Sequence, residues 1–490
     1  MKFRDMMVRF GLGKPKMAYD AARARRRLAG WSASRESAKT IMARDGAMMR
    51  DRARDVVRNN PYAASAADSF TANLIGAGIK PSPLIADQAL REAINKTWAQ
   101  WTDECDADGL ADFYGMQAIV ARAVFESGEI FVRFRPRQPT DGLSVPMQIQ
   151  LVESDMLDFS FTENAANGNR IISGVEFDLI GRRVAYHFFR EHPGDTFPVG
   201  TDSRERVRVS ASEVLHVFKP IRPGQVRGAP IIAPAIVKLW LLDQYDDAEL
   251  DRKKIAAMYA GFITAPAPDA EDMMEDEANL AEGVASLEPG TMQTLLPGED
   301  IKFSSPAEVG GSYEAFQYRT LLAVFSAMGV PYTLGTGDLK RANYSSLRGA
   351  IVEYRRRLEQ LQHGVMVFQF CRPIWERWIA DAVLAGAVKQ AAMSAVKSVK
   401  WIPPKFEWVD PYKDRQAELV AVRAGFKARS DVIEAEGYDP EEVDRRIAAD
   451  REREASLGLN FESTVAVDPA LITDPQDAAQ AIEDAVSQAA

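Results

Sequence analysis

The fold of this chain is decided by residues 331–357, PYTLGTGDLKRANYSSLRGAIVEYRRR. The first seven of them include a proline and two glycines, which is typical of a loop. Apolar residues then recur at helical spacing among many arginines, and Ser345 or Ser346 can cap the start of that helix. Residues 312–329 also have a helical pattern. The sequence therefore predicts two helices joined by an exposed tip.

The composition is that of a folded protein. The chain has 490 residues, 46% hydrophobic and 27% charged, and this length favours about two to four packed units. The two cysteines, Cys105 and Cys371, lie far apart and fit no zinc or disulfide pattern, which indicates a reduced environment. The N-terminus lacks the apolar core of a signal peptide. The apolar stretch 231–242 contains Lys238 and is shorter than the ~20 residues that cross a bilayer, so we expect no membrane span.

The hydrophobic period changes along the chain and predicts an α+β fold. Residues 34–74 have a helical period that breaks before Pro61, because the residue preceding a proline avoids the α region. Trp98 and Trp101 share one face of a further helix and are expected in the core. From Gly128, about ninety residues alternate apolar and polar side chains and predict strands.

Long helical patterns follow the predicted strands. Residues 231–264 predict one long helix, and 347–400 predict another that Pro373 kinks near its middle. Prolines interrupt the start of 401–458 before a helical period returns. A lone globular domain rarely needs helices of this length.

Charge is distributed unevenly along the chain, whose total is −10. The first sixty residues are rich in arginine, and they either bind nucleic acid or an acidic partner or form a solvated face. No basic residue lies between Lys254 and Lys302, where carboxylates accumulate. This acidic run is either a solvated face or a docking surface for a basic partner.

No catalytic or cofactor motif is complete. Gly11-Leu-Gly13-Lys14 lacks the spacing and the hydroxyl residue of an ATP-binding loop. The glycines of 331–357 are too few for a dinucleotide fingerprint and follow a helix rather than a strand. His187 and His192 have no metal-binding carboxylate pattern beside them. We therefore expect no catalytic residue, no metal and no cofactor, and a protein that is not an enzyme.

Several motifs occur in an order that resembles the lambda family of phage portal proteins. They are RDRARDVVRNNPYAASAADSF at 50–70, GEIFVRF at 128–134, VLHVFKPIRPGQVRGAPIIAPAI at 214–236, GVPYTLGTGDLKRANYSSLRGAIVEYRR at 329–356 and FEWVDPYKD at 406–414. The resemblance extends over residues 25–455.

The resemblance implies the portal fold, with long stem helices, a β-rich wing, a small α/β clip and a helical crown. The implied parts are a basic N-terminal arm at 1–33, a wing at 34–230, stem helices at 231–264 and 312–330, a clip at 265–311, a tunnel loop at 331–346, a long kinked wing helix at 347–400, crown helices at 401–458 and an acidic, disordered tail at 459–490.

The resemblance also implies a function in the virion. Such proteins form a ring, usually of twelve subunits, at one capsid vertex, and double-stranded DNA is packaged and ejected through its channel. The expected partners are the terminase large subunit, the major capsid protein and a head-tail connector or adaptor protein. Assembly would take place in the bacterial host cytoplasm. The sequence does not separate a phage or prophage from a gene transfer agent.

Three groups of residues are expected to carry this function. The tunnel loop would contact DNA without reading its sequence through Thr336, Asp338, Lys340, Arg341, Asn343 and Tyr344. A negative channel wall would be formed by Asp243, Asp246, Asp247, Glu249 and Asp251. Terminase and connector would dock on Glu271, Asp272, Glu275, Asp276 and Glu277. The alternative for Lys340 and Arg341 is that they pair with carboxylates in the ring.

Two other classes of function stay open at this point. The long helices alone would also permit a virion scaffold or adaptor without a channel. A metal-dependent nucleic-acid hydrolase would have to use the acidic run as ligands, although metal sites usually gather ligands from separate elements.

Overall fold

The computed structural model describes residues 33–195, 205–257, 261–264, 300–303, 312–389, 396–404 and 411–459. Its α-helices are α1 (Ala38–Asn59), α2 (Pro61–Ile75), α3 (Gln88–Glu104), α4 (Phe113–Glu126), α5 (Ile236–Ala257), α6 (Ser312–Met328), α7 (Tyr332–Thr336), α8 (Tyr344–Leu361), α9 (Arg372–Leu384), α10 (Pro411–Arg423), α11 (Arg429–Ala435) and α12 (Pro440–Leu457). The strands are β1 (Lys80–Pro83), β2 (Glu129–Pro136), β3 (Met147–Val152), β4 (Glu163–Asn164), β5 (Arg170–Ile172), β6 (Val175–Phe177), β7 (Arg183–Phe189), β8 (Arg206–Ser210), β9 (Val214–Phe218), β10 (Gly261–Thr264), β11 (Asp300–Phe303) and β12 (Val399–Ile402).

The break between α1 and α2 lies where the sequence predicts it. Asn60 separates the helices in an extended conformation, and its side-chain oxygen accepts hydrogen bonds from the backbone N–H groups of Tyr62 and Ala63. Pro61 occupies the first turn of α2, where a missing N–H costs nothing. One residue thus ends one helix and caps the next.

The largest core cluster is built around tryptophans. Trp98 of α3 lies 5.0 Å from Trp375 and 4.9 Å from Trp378 of α9, measured between ring centroids. Trp98 and Trp101 are buried, which confirms their predicted place in the core. Burial of these large aromatic side chains stabilises the packing of α3 against α9.

The β-rich segment predicted from Gly128 is confirmed as two antiparallel sheets. One has the strand order β3-β2-β9, and the other has the order β4-β5-β6-β7-β8. A second core cluster, which includes Phe131 of β2 and Tyr186 of β7, packs between them. We call these strands together the β unit.

A buried ion pair joins the β unit to the chain that leads into α5. The side chains of Arg227 and Glu129 are fully buried, and their closest nitrogen and oxygen atoms are 2.6 Å apart. Arg227 also donates to the backbone carbonyls of Leu157, Ser173 and Ser154, so most of its donors are satisfied. Its guanidinium carbon lies 3.6 Å from the ring centroid of Phe159.

Two glycines allow close backbone approach at the same junction. A Cβ on Gly128 would lie 2.4 Å from the carbonyl carbon of Ala229, and a Cβ on Gly228 would lie 2.2 Å from the carbonyl oxygen of Gly128. The strand start and the 227–230 segment therefore pack with no room for a methyl group.

Helices α5 and α6 form an antiparallel pair, which we call the hairpin. Asp246 of α5 accepts hydrogen bonds from Tyr313 and Gln317 near the start of α6, and the end of α6 lies beside residues 233 and 234. The prediction of one helix over 231–264 is wrong at both ends. Pro234 lies in a short 3₁₀ turn before α5. Residues 261–264 form β10, which pairs with β11, and the last three of them, Phe-Ile-Thr, favour extended structure.

The predicted long helix over 347–400 is divided. α8 continues into a π-helix, Gln362–Cys371, and then into α9. The wider turns end at Cys371, just before Pro373, and the change of helix type accommodates the missing N–H of the proline. Beyond α9, β12 pairs with β1 near the start of the chain, so residues 399–402 are strand rather than helix.

Candidate functional site

The 331–346 segment is less open than its sequence predicts. It contains the short helix α7, and α8 already begins at Tyr344. The irregular part is therefore 337–343, which we call the tip. The cap of α8 is Asn343 rather than the predicted Ser345 or Ser346. The Asn343 side-chain oxygen accepts from the Ser346 N–H at 2.8 Å, and the Ser346 hydroxyl accepts from the Asn343 N–H at 3.0 Å.

The base of this segment is fixed by contact with α6 and α2. Gly335 packs so closely on Phe325 that an added Cβ would lie 1.9 Å from a ring carbon. The Ser65 hydroxyl donates to the Gly335 carbonyl at 2.7 Å. Gly335 is therefore a packing residue, whereas sequence alone suggests only flexibility.

Thr336 and Asp338 fold the segment onto itself. The Thr336 hydroxyl donates to the Tyr332 carbonyl at 2.7 Å and accepts from the Asp338 N–H at 3.2 Å. The Asp338 carboxylate accepts from the Lys340 N–H and from the Tyr332 hydroxyl. The hydrogen bond from the Lys340 backbone is the main cause that lowers the pKa of Asp338. Thr336 and Asp338 were predicted to contact DNA, but these hydrogen bonds all lie within the 331–346 segment.

The two cations of the tip have different surroundings. Arg341 forms an ion pair with Glu314 of α6 at 3.2 Å, and its guanidinium carbon lies 4.2 Å from the ring centroid of Tyr318. Both side chains of this pair are half exposed or more, so the pair is weak and can open. Lys340 is exposed and forms no ion pair within the described part of the chain. Tyr344 beside the tip is also exposed.

The carboxylates predicted for a channel wall divide by their contacts. Asp246 lies between α5 and α6, and Asp243 accepts a hydrogen bond from the Asn60 side chain at 3.2 Å. Glu249 pairs with Arg252, which is the main cause that lowers its pKa. Asp251 pairs with Lys254, with both side chains exposed. Asp247 is exposed and has no ion pair among the described residues.

One exposed cation was missed by the sequence reasoning. Arg319 of α6 is exposed and has no ion pair within the described ranges. Only the contacts of the hairpin show which face of α6 stays open, so no sequence signal separates Arg319 from the other arginines of the chain. Arg348, by comparison, pairs with Asp414 at the start of α10.

The predicted docking acids at 271–277 lie outside the described residues, as do most of the segments 1–33 and 459–490. Of the predicted clip segment 265–311, only β11 is described.

In the described chain, Glu153, Asp155 and His192 bring their ligand-type atoms within 4.8 Å of one another, as in a metal site. Asp155, however, already pairs with Arg50 at 2.7 Å and with Arg54 at 2.5 Å. Two guanidinium groups balance the local carboxylate charge, so the geometry is that of an ion-pair network. His187 contacts the buried Glu176 at 3.1 Å.

A groove of about 490 Å³ lies where the hairpin meets α8. Apolar side chains such as Ile231 and Leu358 line it, with Lys219 and Arg357 as its charged residues. It holds no nucleophile with an adjacent base. No helix of the described chain is long and apolar enough to span a bilayer.

Comparisons with known proteins agree on one family. The family model described as phage portal protein, lambda family, matches residues 24–362. The chain is 27% identical over 435 residues to the probable portal protein of Halomonas phage phiHAP-1, covering 86% of this chain and 83% of that protein. It is 22% identical over 467 residues to portal protein B of Escherichia phage lambda, covering 85% of each.

Solved structures give a weaker likeness. The neck of a native gene transfer agent particle, computed with C12 symmetry, aligns with a TM-score of 0.48 at 14% identity, covering 81% of this chain and 94% of that chain. The family match extends over more than half of the sequence and includes the hairpin, the tip and the β unit. The chain therefore belongs to the lambda family of phage portal proteins.

Proposed function

We propose that this portal protein assembles into a ring, of about twelve copies as is usual in its family, around a channel for double-stranded DNA. DNA would be packaged and later ejected through this channel at one vertex of a phage or gene transfer agent head. Family membership supports the general role. The observation that carries the DNA contact is the tip, whose base is fixed by Gly335 on Phe325 while Lys340 stays exposed and unpaired within the described chain.

The tip suits transient contact with DNA. Lys340 and the weakly held Arg341 can approach phosphates, and Tyr344 and Asn343 offer polar groups for sugars and phosphates without base reading. The chain as a whole carries a charge of −10, so a ring of it repels DNA at long range. Many weak contacts on a repelling wall would guide DNA without holding it.

Membership of the portal family also suggests roles for the other segments of the chain. The hairpin would form the stem, the β unit with α1–α4 the wing, and α10–α12 the crown. The exposed Asp251 would contribute to a negative wall near the channel. The acidic segment 265–311 would form the clip, where the terminase large subunit docks during packaging and a head-tail connector docks afterwards. The major capsid protein would surround the wing, and the ring would assemble in the bacterial host cytoplasm.

Electron microscopy of the purified full-length chain, with two-dimensional classification, tests this proposal. Closed rings with a hole wide enough for duplex DNA are expected. The same experiment on the chain coexpressed with the major capsid protein tests whether ring assembly requires that protein. Compact monomers or dimers in both preparations would overturn the channel and favour a scaffold or adaptor without one.

A further inference from the structure

The outer face of α5 is unusually apolar for an exposed helix. Val237, Trp240 and Leu241 are 64%, 57% and 55% exposed. They lie on the side of the helix opposite Leu239 and Leu242, which are buried in the core. Large apolar side chains grouped on one face mark a surface that another protein covers.

The outer face of α6 has a different character. Its exposed residues are the small Ala315, Ser326 and Ala327, the large apolar Phe316 and Leu322, which are 51% and 36% exposed, and the charged Glu314 and Arg319. Leu321 and Phe325, on the opposite side of α6, are buried. Because the two helices pack through their inner faces, the apolar face of α5 and the outer face of α6 point away from each other.

The two outer faces also carry opposite unpaired charges. Asp247 lies on the flank of the α5 face and Arg319 on the α6 face, and neither has an ion pair within the described chain. Asp246 is level with Tyr313 and Gln317, to which it is hydrogen bonded. At 1.5 Å per residue in antiparallel helices, Arg319 lies about 8 Å from the level of Asp247 along the hairpin axis. An extended arginine side chain can span that separation.

We propose that the α5 face of one protomer packs on the α6 face of a second copy of this chain, with Trp240 against Leu322 and Ala323 and with Asp247 paired with Arg319. Trp240 and Ala323 lie at nearly the same level of the hairpin, which suits this contact. The two surfaces are different and lie on opposite sides of the protomer, so the contact is heterologous and can repeat around a closed ring. This inference rests on the proposed ring and names the surfaces that close it.

Charge reversal with rescue tests the pairing. Asp247→Arg and Arg319→Asp are each expected to raise, on the order of tenfold or more, the concentration at which half of the full-length chain is in rings, since each places like charges in contact. The double variant restores the opposite-charge pair and should recover most of that loss. Asp103→Arg is the control, because Asp103 is an exposed acid on α3, outside the hairpin. Circular dichroism of each protomer reports retained folding.

Cross-linking between chains tests the heterologous geometry. Asp247→Cys chains are mixed with Arg319→Cys chains and treated with a short bismaleimide. The two native cysteines are buried, so they compete little for the reagent. Covalent dimers are expected from the mixture, with few from either variant alone.

The outcomes separate the interface from the ring. The pairing of Asp247 with Arg319 is overturned if both single reversals form rings at wild-type concentrations. It is also overturned if the double variant does not recover the ring formation that the single variants lose. Either result leaves the ring proposal intact. Strong cross-linking of Asp247→Cys alone would indicate an isologous contact and also overturns the pairing. A wild-type chain that forms no ring even with capsid protein contradicts the proposed function itself.

Discussion

Arg341 lies over the ring of Tyr318, one turn along α6 from Glu314, with which it also forms an ion pair. The residue that the sequence places at an open tip is thus held on the neighbouring helix by one aromatic ring and one carboxylate. Lys340, the adjacent residue, has no such restraint among the described residues. The two cations of the tip should therefore contribute unequally to DNA contact.

Replacing both tip cations separates assembly from DNA handling. The variant with Lys340→Ala and Arg341→Ala should form rings normally but package or retain several-fold less DNA, because phosphate contacts are lost while the fixed base of the tip remains. Lys340→Ala alone should cause most of this loss. The measurement is DNA content per assembled head. Arg356→Ala, an exposed arginine on α8, is the control, and normal DNA content in the double variant would contradict the role of the tip.

Gly335→Ala should destabilise the protein strongly. Its Cβ would lie 1.9 Å from a ring carbon of Phe325, and overpacking of this kind costs about 1–3 kcal/mol. Denaturant unfolding measures the change. Gly349→Ala is the matched control, because it lies in α8 with open space around it, and it should stabilise the helix by about 0.5–1 kcal/mol. Adding Phe325→Leu to Gly335→Ala should recover part of the loss, and no recovery would locate the strain elsewhere.

Removing Arg227 should be among the most damaging single changes in the β unit. Arg227→Met leaves the fully buried Glu129 without its main counter-charge, a loss that costs about 3–5 kcal/mol in buried pairs. Arg190→Met breaks an exposed pair with Glu205 and should cost less than about 1 kcal/mol. Equal unfolding free energies for the two variants would contradict the importance of the buried pair.

The buried network also predicts a loss of stability in acid. Burial lowers the pKa of His216 from its ordinary 6.5 to about 4, against the opposing effect of its hydrogen bond with Glu129. Between these pH values the unfolded chain binds a proton that the folded chain does not, so stability falls as the pH decreases, by up to about 1.4 kcal/mol per unit. Burial alone would raise the pKa of Glu129, but the charge of Arg227 and the hydrogen bond from His216 lower it overall, so protonation of Glu129 adds to the loss at still lower pH.

Unfolding free energies measured between pH 7 and pH 4 test this prediction. His216→Gln should reduce the slope with pH by about 1 kcal/mol per unit, with His192→Gln as the matched removal of a histidine outside the network. A slope that is unchanged in His216→Gln would show that other groups cause the acid sensitivity.

Local signals in the sequence predicted local structure well. The helix break at Asn60 follows from a capping side chain beside a proline, and the strands from Gly128 follow from alternation, so neither depends on distant contacts. The pairing of β1 with β12 joins Lys80 to Ile402, and nothing near either residue specifies that partner. The π-helix was not predicted, because Pro373 indicates an interruption of the helix but not the type of turn that precedes it.

The candidate site was predictable in place but not in contacts. Glycine spacing predicted the position of the tip. It did not predict the ion pair between Arg341 and Glu314, because that pair forms only where α6 and α7 pack side by side. Asp246 and Asp247 are adjacent in sequence, and the hairpin alone decides that the first is enclosed between helices while the second faces outward. Which face of a helix is covered depends on its neighbours, and periodicity cannot distinguish acids on a mixed surface.

The junction of Gly128 and Gly228 has a mechanical consequence. With backbone against backbone and a buried arginine across the gap, the β unit and the segment entering α5 cannot rotate separately without separating packed atoms. We therefore expect the β unit and the first turn of α5 to move as one rigid body. A displacement of the outer strands would then be transmitted directly to the hairpin.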